Sequence, residues 1–152
     1  MLPGFTPGNL VVPGLSVTTA DGSSITVLSA NLDAWEVVQA EFFFNEPPAP
    51  RWCDVMVTVR VQNIGGSITD EQSASASDFR LVASSVLYGV FDHSCGLIPD
   101  QLDAKLFLGG SVEGNVCVQL PVDESGIVML YGPLFSLDTS DRRWFGLSAN
   151  TE

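Results

Sequence analysis

Three cysteines, one histidine and a scatter of acidic residues are the side chains of this 152-residue sequence that could react, cross-link or chelate. The histidine, His93, stands in the run Asp92-His93-Ser94-Cys95, which holds the residue types of a hydrolase triad and of a thiol nucleophile. Either site needs its groups to converge in space, with the base oriented by a third residue. Neighbours on an extended segment point to alternate sides, so His93 reads as a loop histidine and no residue is assigned a catalytic role. One histidine and no Cys-x-x-Cys pair are too few ligands for zinc. Carboxylates make a better cation case: Asp70 and Glu71 with Asp78, or Asp100 with Asp103, could offer oxygens to calcium, which takes roughly six to eight. None of these fits the Asp-x-Asp-x-Asp-Gly loop. Solvated loop charge is therefore the expectation, with calcium left open and no cofactor expected. Nothing selects a carboxylate pair for glycoside hydrolysis.

The elements that must position these groups show in the hydrophobic period. Val55, Val57, Val59 and Val61 alternate with Met56, Thr58 and Arg60, the mark of a half-buried strand. Val112, Val116, Val118 and Leu120 alternate with Glu113, Asn115 and Gln119, and Phe79 and Leu81 continue the pattern. Further short apolar runs cover residues 25–32, 37–44, 86–91, 127–131 and 144–147, separated by turn-forming Gly, Pro, Asn, Asp and Ser. Seven to nine short strands and no 3.6-residue pattern predict an all-β chain, an antiparallel immunoglobulin-like β-sandwich. The one candidate helical turn is Pro99–Lys105. Residues 1–15 hold three Pro and three Gly, which predicts an extended arm or tether ahead of a single domain over 16–152.

Composition narrows the partners. The net charge is −12, so nucleic acid and anionic lipid surfaces are disfavoured. Charged residues are only 16%, below the roughly 25% of ordinary chains, and hydroxyl-rich sheet faces fill the gap. No run approaches the ~20 apolar residues of a membrane span. The first residues have neither a basic region nor a continuous apolar stretch, so they are not an intact secretory signal, which is no argument for the cytosol.

Strand parity assigns the cysteines to faces. Cys117 is odd in a strand whose apolar residues are even, so it points away from the core, toward water, with Glu113, Asn115 and Gln119. Cys53 shares the parity of Val55 to Val61 and points inward, although a bulge near Arg51-Trp52 would reverse it. Cys95 lies in a loop. A disulfide between Cys95 and Cys117 follows, pinning residues 92–104 to the outer face of a sheet. On the chain-entropy estimate it is worth about 3 kcal/mol, and it persists in an oxidising compartment. Cys53 is left over; it reads as a buried thiol, with an intermolecular bridge or a reactive site as the alternatives.

The same residues carry a family resemblance. A valine-alternating strand ending in VQNIGG is followed by DFRLV, a strand containing Tyr88, CGLIPDQL, LFLGGSVEGNVCVQLP, IVMLY and WFGL. This order resembles the bacterial telokin-like, immunoglobulin-fold domain family of unknown function, found in secreted proteins and lipoproteins. The likeness covers about residues 23–147 and is most specific at Gly109–Pro121 with the upstream Cys95-Gly96. Relatives commonly have Pro where Leu108 stands, a departure that touches only the local turn. The resemblance implies an extracellular or cell-envelope sandwich, with a lipid anchor upstream as one mode of attachment. It supplies no catalytic residues.

Hydrophobic surface is the remaining signal. In EFFFNEPPAPRW, alternation would bury Phe42 and Phe44 and turn Phe43 outward, beside a rigid bend and Trp52. These four are the candidate partner-binding residues, since outward aromatics make binding hot spots. Leu134, Phe135 and Trp144 raise the same question near the C-terminus. The expected role is thus a non-enzymatic, exported module that binds protein or self-assembles. The alternative is a soluble ligand- or calcium-binding module that uses the acidic loops.

Overall fold

A computed structural model of the chain describes residues 3–19, 21–65, 71–132 and 142–147; Asp70, Leu134 and Phe135 lie outside these. In chain order the first elements are β1 (Ser16–Thr18), β2 (Ser23–Asn31), helix α1 (Trp35–Glu41), β3 (Trp52–Asn63) and β4 (Gln72–Ser75). A 3-10 turn (Ala76–Asp78) leads to β5 (Phe79–Ala83) and β6 (Val86–Tyr88). The chain continues with β7 (Asp103–Leu106), β8 (Ser111–Pro121), β9 (Val128–Tyr131) and β10 (Arg143–Gly146). One sheet runs β1-β2-β3-β8 and the other β10-β9-β5-β6, with β4 and β7 as a separate pair; neighbouring strands are antiparallel. This is an immunoglobulin-like β-sandwich. It has ten strands among the described residues rather than seven to nine, because β1, β4 and β7 are short and lack an apolar alternation.

The core follows from the period-2 pattern. Val55, Val57, Val59 and Val61 of β3 and Val116, Val118 and Leu120 of β8 face Phe79, Leu81, Met129, Tyr131 and Phe145 across the sandwich. Each such side chain contributes about 1.5–3 kcal/mol by leaving water. β2 joins with Ile25 and Val27, then shifts register between Val27 and Ser29, a bulge that ends its regular inward alternation. The β5–β6 hairpin closes on Ser84 and Ser85, whose φ of 49° and 65° gives the left-handed two-residue turn that suits twisted strands.

Two expectations are corrected. Residues 37–44 do not form a strand. Ala34 and Val38, four residues apart, both turn toward the first sheet, and Glu36, Gln39, Ala40 and Glu41 favour helix, so this stretch becomes α1 followed by a turn. Pro99–Lys105 is not a helical turn, because Asp103–Leu106 is held as a strand by β4. The N-terminal segment is anchored at Gly4 and Val11, with Phe5 to Gly8 exposed between them. Val11 is fully buried and lies parallel to Phe145, with Val11 N donating to Trp144 O at 3.0 Å and Gly146 N to Val11 O at 2.8 Å. Gly4 and Trp144 are likewise hydrogen-bonded, so this segment covers the outer edge of β10.

Candidate functional site

The outer face of the β1-β2-β3-β8 sheet carries a ladder of cross-strand pairs between β3 and β8. Gln119 Nε2 donates to Asp54 Oδ1 at 3.1 Å, Met56 opposes Cys117, Thr58 Oγ1 donates to Asn115 Oδ1 at 2.6 Å, and Arg60 pairs with Glu113 at 3.1 Å. Over the first two rungs sits a second, small core. Ala34, at the N-cap of α1, and Val38 within it pack with Met56, Cys117, Cys95 and Ile98. Cys95 and Cys117 are joined by a disulfide with Cα atoms 5.7 Å apart. Cys117 does lie on the face away from the main core, but α1 and the loop bury it, so it is not turned toward water. The loop also seals the free edge of β8: Ser94 bridges Val118, Gln119 N donates to His93 O, and Asn115 N donates to Asp100 O.

On this platform rests a knuckle of three phenylalanines. α1 ends as Phe42 takes an extended conformation, and the chain turns back, with Asn45 N donating to Phe42 O at 2.9 Å. Asn45 fastens the turn. Its Nδ2 donates to Val38 O at 3.0 Å and to Leu97 O at 2.7 Å, and its Oδ1 accepts from Leu97 N at 3.0 Å. Gly96, at φ 100°, allows this approach, since a Cβ there would collide with the Asn45 amide. Phe42, Phe43 and Phe44 are 38%, 76% and 67% exposed, and their rings pack on one another, with Phe43 and Phe44 centroids 4.0 Å apart. The expectation that Phe42 and Phe44 turn inward fails because no strand exists here to alternate. Glu41 and Glu46, both exposed, flank the three phenylalanines in the chain, and residues 33–50 hold no basic residue, so the knuckle has an acidic border.

Trp52 is not part of the knuckle. It is half-buried at the start of β3, stacked on His93 at 5.4 Å and edge-on to Tyr88 at 6.1 Å. The His93 ring is thereby held between two aromatics. Ser94 Oγ accepts from Gly96 N and Cys95 is oxidised, so the Asp-His-Ser-Cys run does not assemble a triad.

Two ionisable groups beneath the platform were missed or left open. Asp54 is fully buried, and its Oδ2 has no hydrogen-bond partner. Burial pushes its carboxyl pKa up, the Gln119 hydrogen bond opposes this, and the Asp33 charge adds to the rise. Its outward parity gave no hint of burial, because the cover comes from α1. Cys53 is half-buried against the main core, and burial, then Asp33 and Asp54, push its thiol pKa up. Asn45 was also missed, since its partners at Leu97 lie 52 residues away. Among the described residues, no three His, Cys, Asp or Glu side chains are grouped to hold a metal ion. Glu71 pairs instead with Lys105 at 3.7 Å.

No family model matches the chain, and no curated protein matches it in sequence. Among solved structures it is similar to the ycdA protein of Bacillus subtilis, whose description makes it a candidate lipoprotein (TM-score 0.57, 15% identity). That match covers 84% of this chain but only 37% of the ycdA chain. The yjhA protein of Bacillus subtilis matches with TM-score 0.56 at 12% identity, over 91% of this chain and 100% of its own. MPT63, a secreted protein from Mycobacterium tuberculosis, matches with TM-score 0.55 at 13% identity, over 83% of this chain and 92% of its own. At such identities the shared property is the fold: the chain has the β-sandwich architecture seen in these three bacterial proteins.

Proposed function

We propose that the chain is a non-enzymatic, exported binding module that engages a protein partner, at the cell surface or in an extracellular assembly, through the Phe42–Phe44 knuckle. The knuckle is the observation that carries this reading. Phe43 and Phe44, mostly exposed, each forgo about 1–2 kcal/mol of burial. Asn45 ties the turn after the rings to Val38 and to Leu97, two residues from the Cys95–Cys117 bond, and such pre-ordering lowers the entropic cost of docking. The acidic rim selects an apolar pocket bordered by Arg or Lys. A disulfide fits an oxidising compartment, and a secreted protein and a candidate lipoprotein among the solved neighbours fit export. Membership of the telokin-like family, suggested by Gly109–Pro121, belongs to the same reading.

The test is site-specific photo-crosslinking in the producing cell. Benzoylphenylalanine is placed at Phe43 and, as a control, at the exposed Val122. A discrete protein adduct from position 43 alone supports the reading. No adduct, or the same adducts from both positions, overturns it.

A further inference from the structure

The outer face of the second sheet is apolar and cationic. β5 sends Phe79, Leu81 and Ala83 into the core, which leaves Arg80 and Val82 outside. The register places Leu87, Val82 and Val128 in one cross-strand row and Arg80, Leu130 and Trp144 in the next. Leu87, Val82, Val128, Leu130 and Trp144 of these rows line a shallow depression of about 520 Å³ with Arg142 at its rim, and Arg80 lies beyond its lining. Leu87, on the edge strand β6, is 54% exposed, and no charged residue occurs between Arg80 and Asp92.

Here, too, lie the bases not paired with carboxylates. Of the six Lys and Arg, Arg51, Arg60 and Lys105 pair with Asp123, Glu113 and Glu71, and Arg143 stacks over the Phe5 ring at 4.0 Å. The other two, Arg80 and Arg142, flank Gly132, where Arg80 Nη2 donates to the Gly132 carbonyl at 2.9 Å. Neither makes an ion pair among the described residues. Burial, and then the charge of Arg142, lower the pKa of Arg80, with Asp78 opposing. In a chain of net charge −12 these two arginines, with Asp78 near Arg80, put positive charge beside an apolar depression. It is the chemistry that the acid-rimmed knuckle calls for.

The geometry points to a second copy of this chain as the partner: the Phe42–Phe44 knuckle of one copy docks into the Leu87–Val128–Trp144 depression of the next, with Glu41 and Glu46 facing Arg80 and Arg142. This rests on the knuckle reading above and names its partner. Knuckle and depression lie on opposite outer faces of the sandwich. The contact is therefore heterologous, leaves one surface of each kind unused on every pair, and propagates head to tail.

The experiment is sedimentation velocity and light scattering over a concentration series. It compares the wild type with a knuckle variant (Phe43→Asp, Phe44→Asp) and a face variant (Leu87→Asp, Arg142→Glu), each checked for a cooperative melt. All four positions are exposed; should the face variant melt early, Arg142→Glu alone replaces it. Wild type should show a mass that rises with concentration above 16.2 kDa, and each variant alone should weaken association by about tenfold or more. An equal mixture of the two variants should form a complex of two chains, since each supplies the surface the other lacks. A wild type that stays monomeric, variants that associate like wild type, or a mixture that fails to combine would each overturn the proposal. A monomeric wild type whose position 43 crosslinks to a different protein would sink only this inference. No adduct at all would sink the knuckle reading as well.

Discussion

Removing the Cys95–Cys117 bond by Cys95→Ala with Cys117→Ala should loosen one layer of the molecule and leave the other intact. The bond closes a loop with a sequence separation of 22 residues. The chain-entropy relation assigns such a loop about 3 kcal/mol at 25 °C. For a domain of this size that is a fall in Tm of roughly 6–12 °C. Its location follows from the structure: Cys95, Ile98, Ala34 and Val38 belong to the small outer core, whereas the inward valines of β3 do not touch it. Hydrogen exchange followed by NMR should therefore show lost protection in α1 and around residues 94–102, with β3 amides still protected. Urea titration supplies the free energy. A loss below about 1 kcal/mol, or exchange that rises equally in both layers, would refute the two-core description.

Asn45→Ala removes three hydrogen bonds at a half-exposed site and should cost about 1–2 kcal/mol in urea titration, with chemical-shift changes concentrated at Phe42–Phe44 and Leu97. Asp54 holds its proton to higher pH folded than unfolded, so the stability it contributes is present below the ordinary carboxylate range and is lost as pH rises through the folded pKa. Measured from about pH 4 upward, Asp54→Asn should become progressively more stable relative to wild type; a flat difference would contradict the buried carboxyl. Gly114→Ala would bring a Cβ to 2.7 Å from Leu102 Cα and should cost about 1–3 kcal/mol by thermal melt. Cys53, with its thiol pKa raised, should alkylate more slowly at pH 7.5 than an exposed model thiol, as followed by mass spectrometry.

The sandwich was legible wherever a strand has one face in the core and the other in water. Val55 to Val61 and Val112 to Leu120 sit on those faces, and parity placed Cys117 on the outer one. Parity says which side a residue takes and nothing about what covers that side, so the burial of Asp54, Met56 and Cys117 was invisible. α1 escaped because its inward signal is only Ala34 and Val38, blurred by Trp35, Val37 and the three phenylalanines, with no side-chain cap to announce its start. Phe43 was expected outward and is exposed, whereas Phe42 and Phe44 were expected inward and are not, since their exposure depends on where a seven-residue helix stops. Asn45 had no local signature, because its role is set by contacts with Leu97.

The stacking of His93 on Trp52 gives the molecule a built-in optical gauge. His93 sits two residues before Cys95, while Trp52 belongs to β3. Any event that lifts the 92–102 segment off the sheet separates the two rings and should change the emission of that tryptophan, read as the difference from a Trp52→Phe chain because Trp35 and Trp144 also emit, so detachment can be timed without attaching a dye.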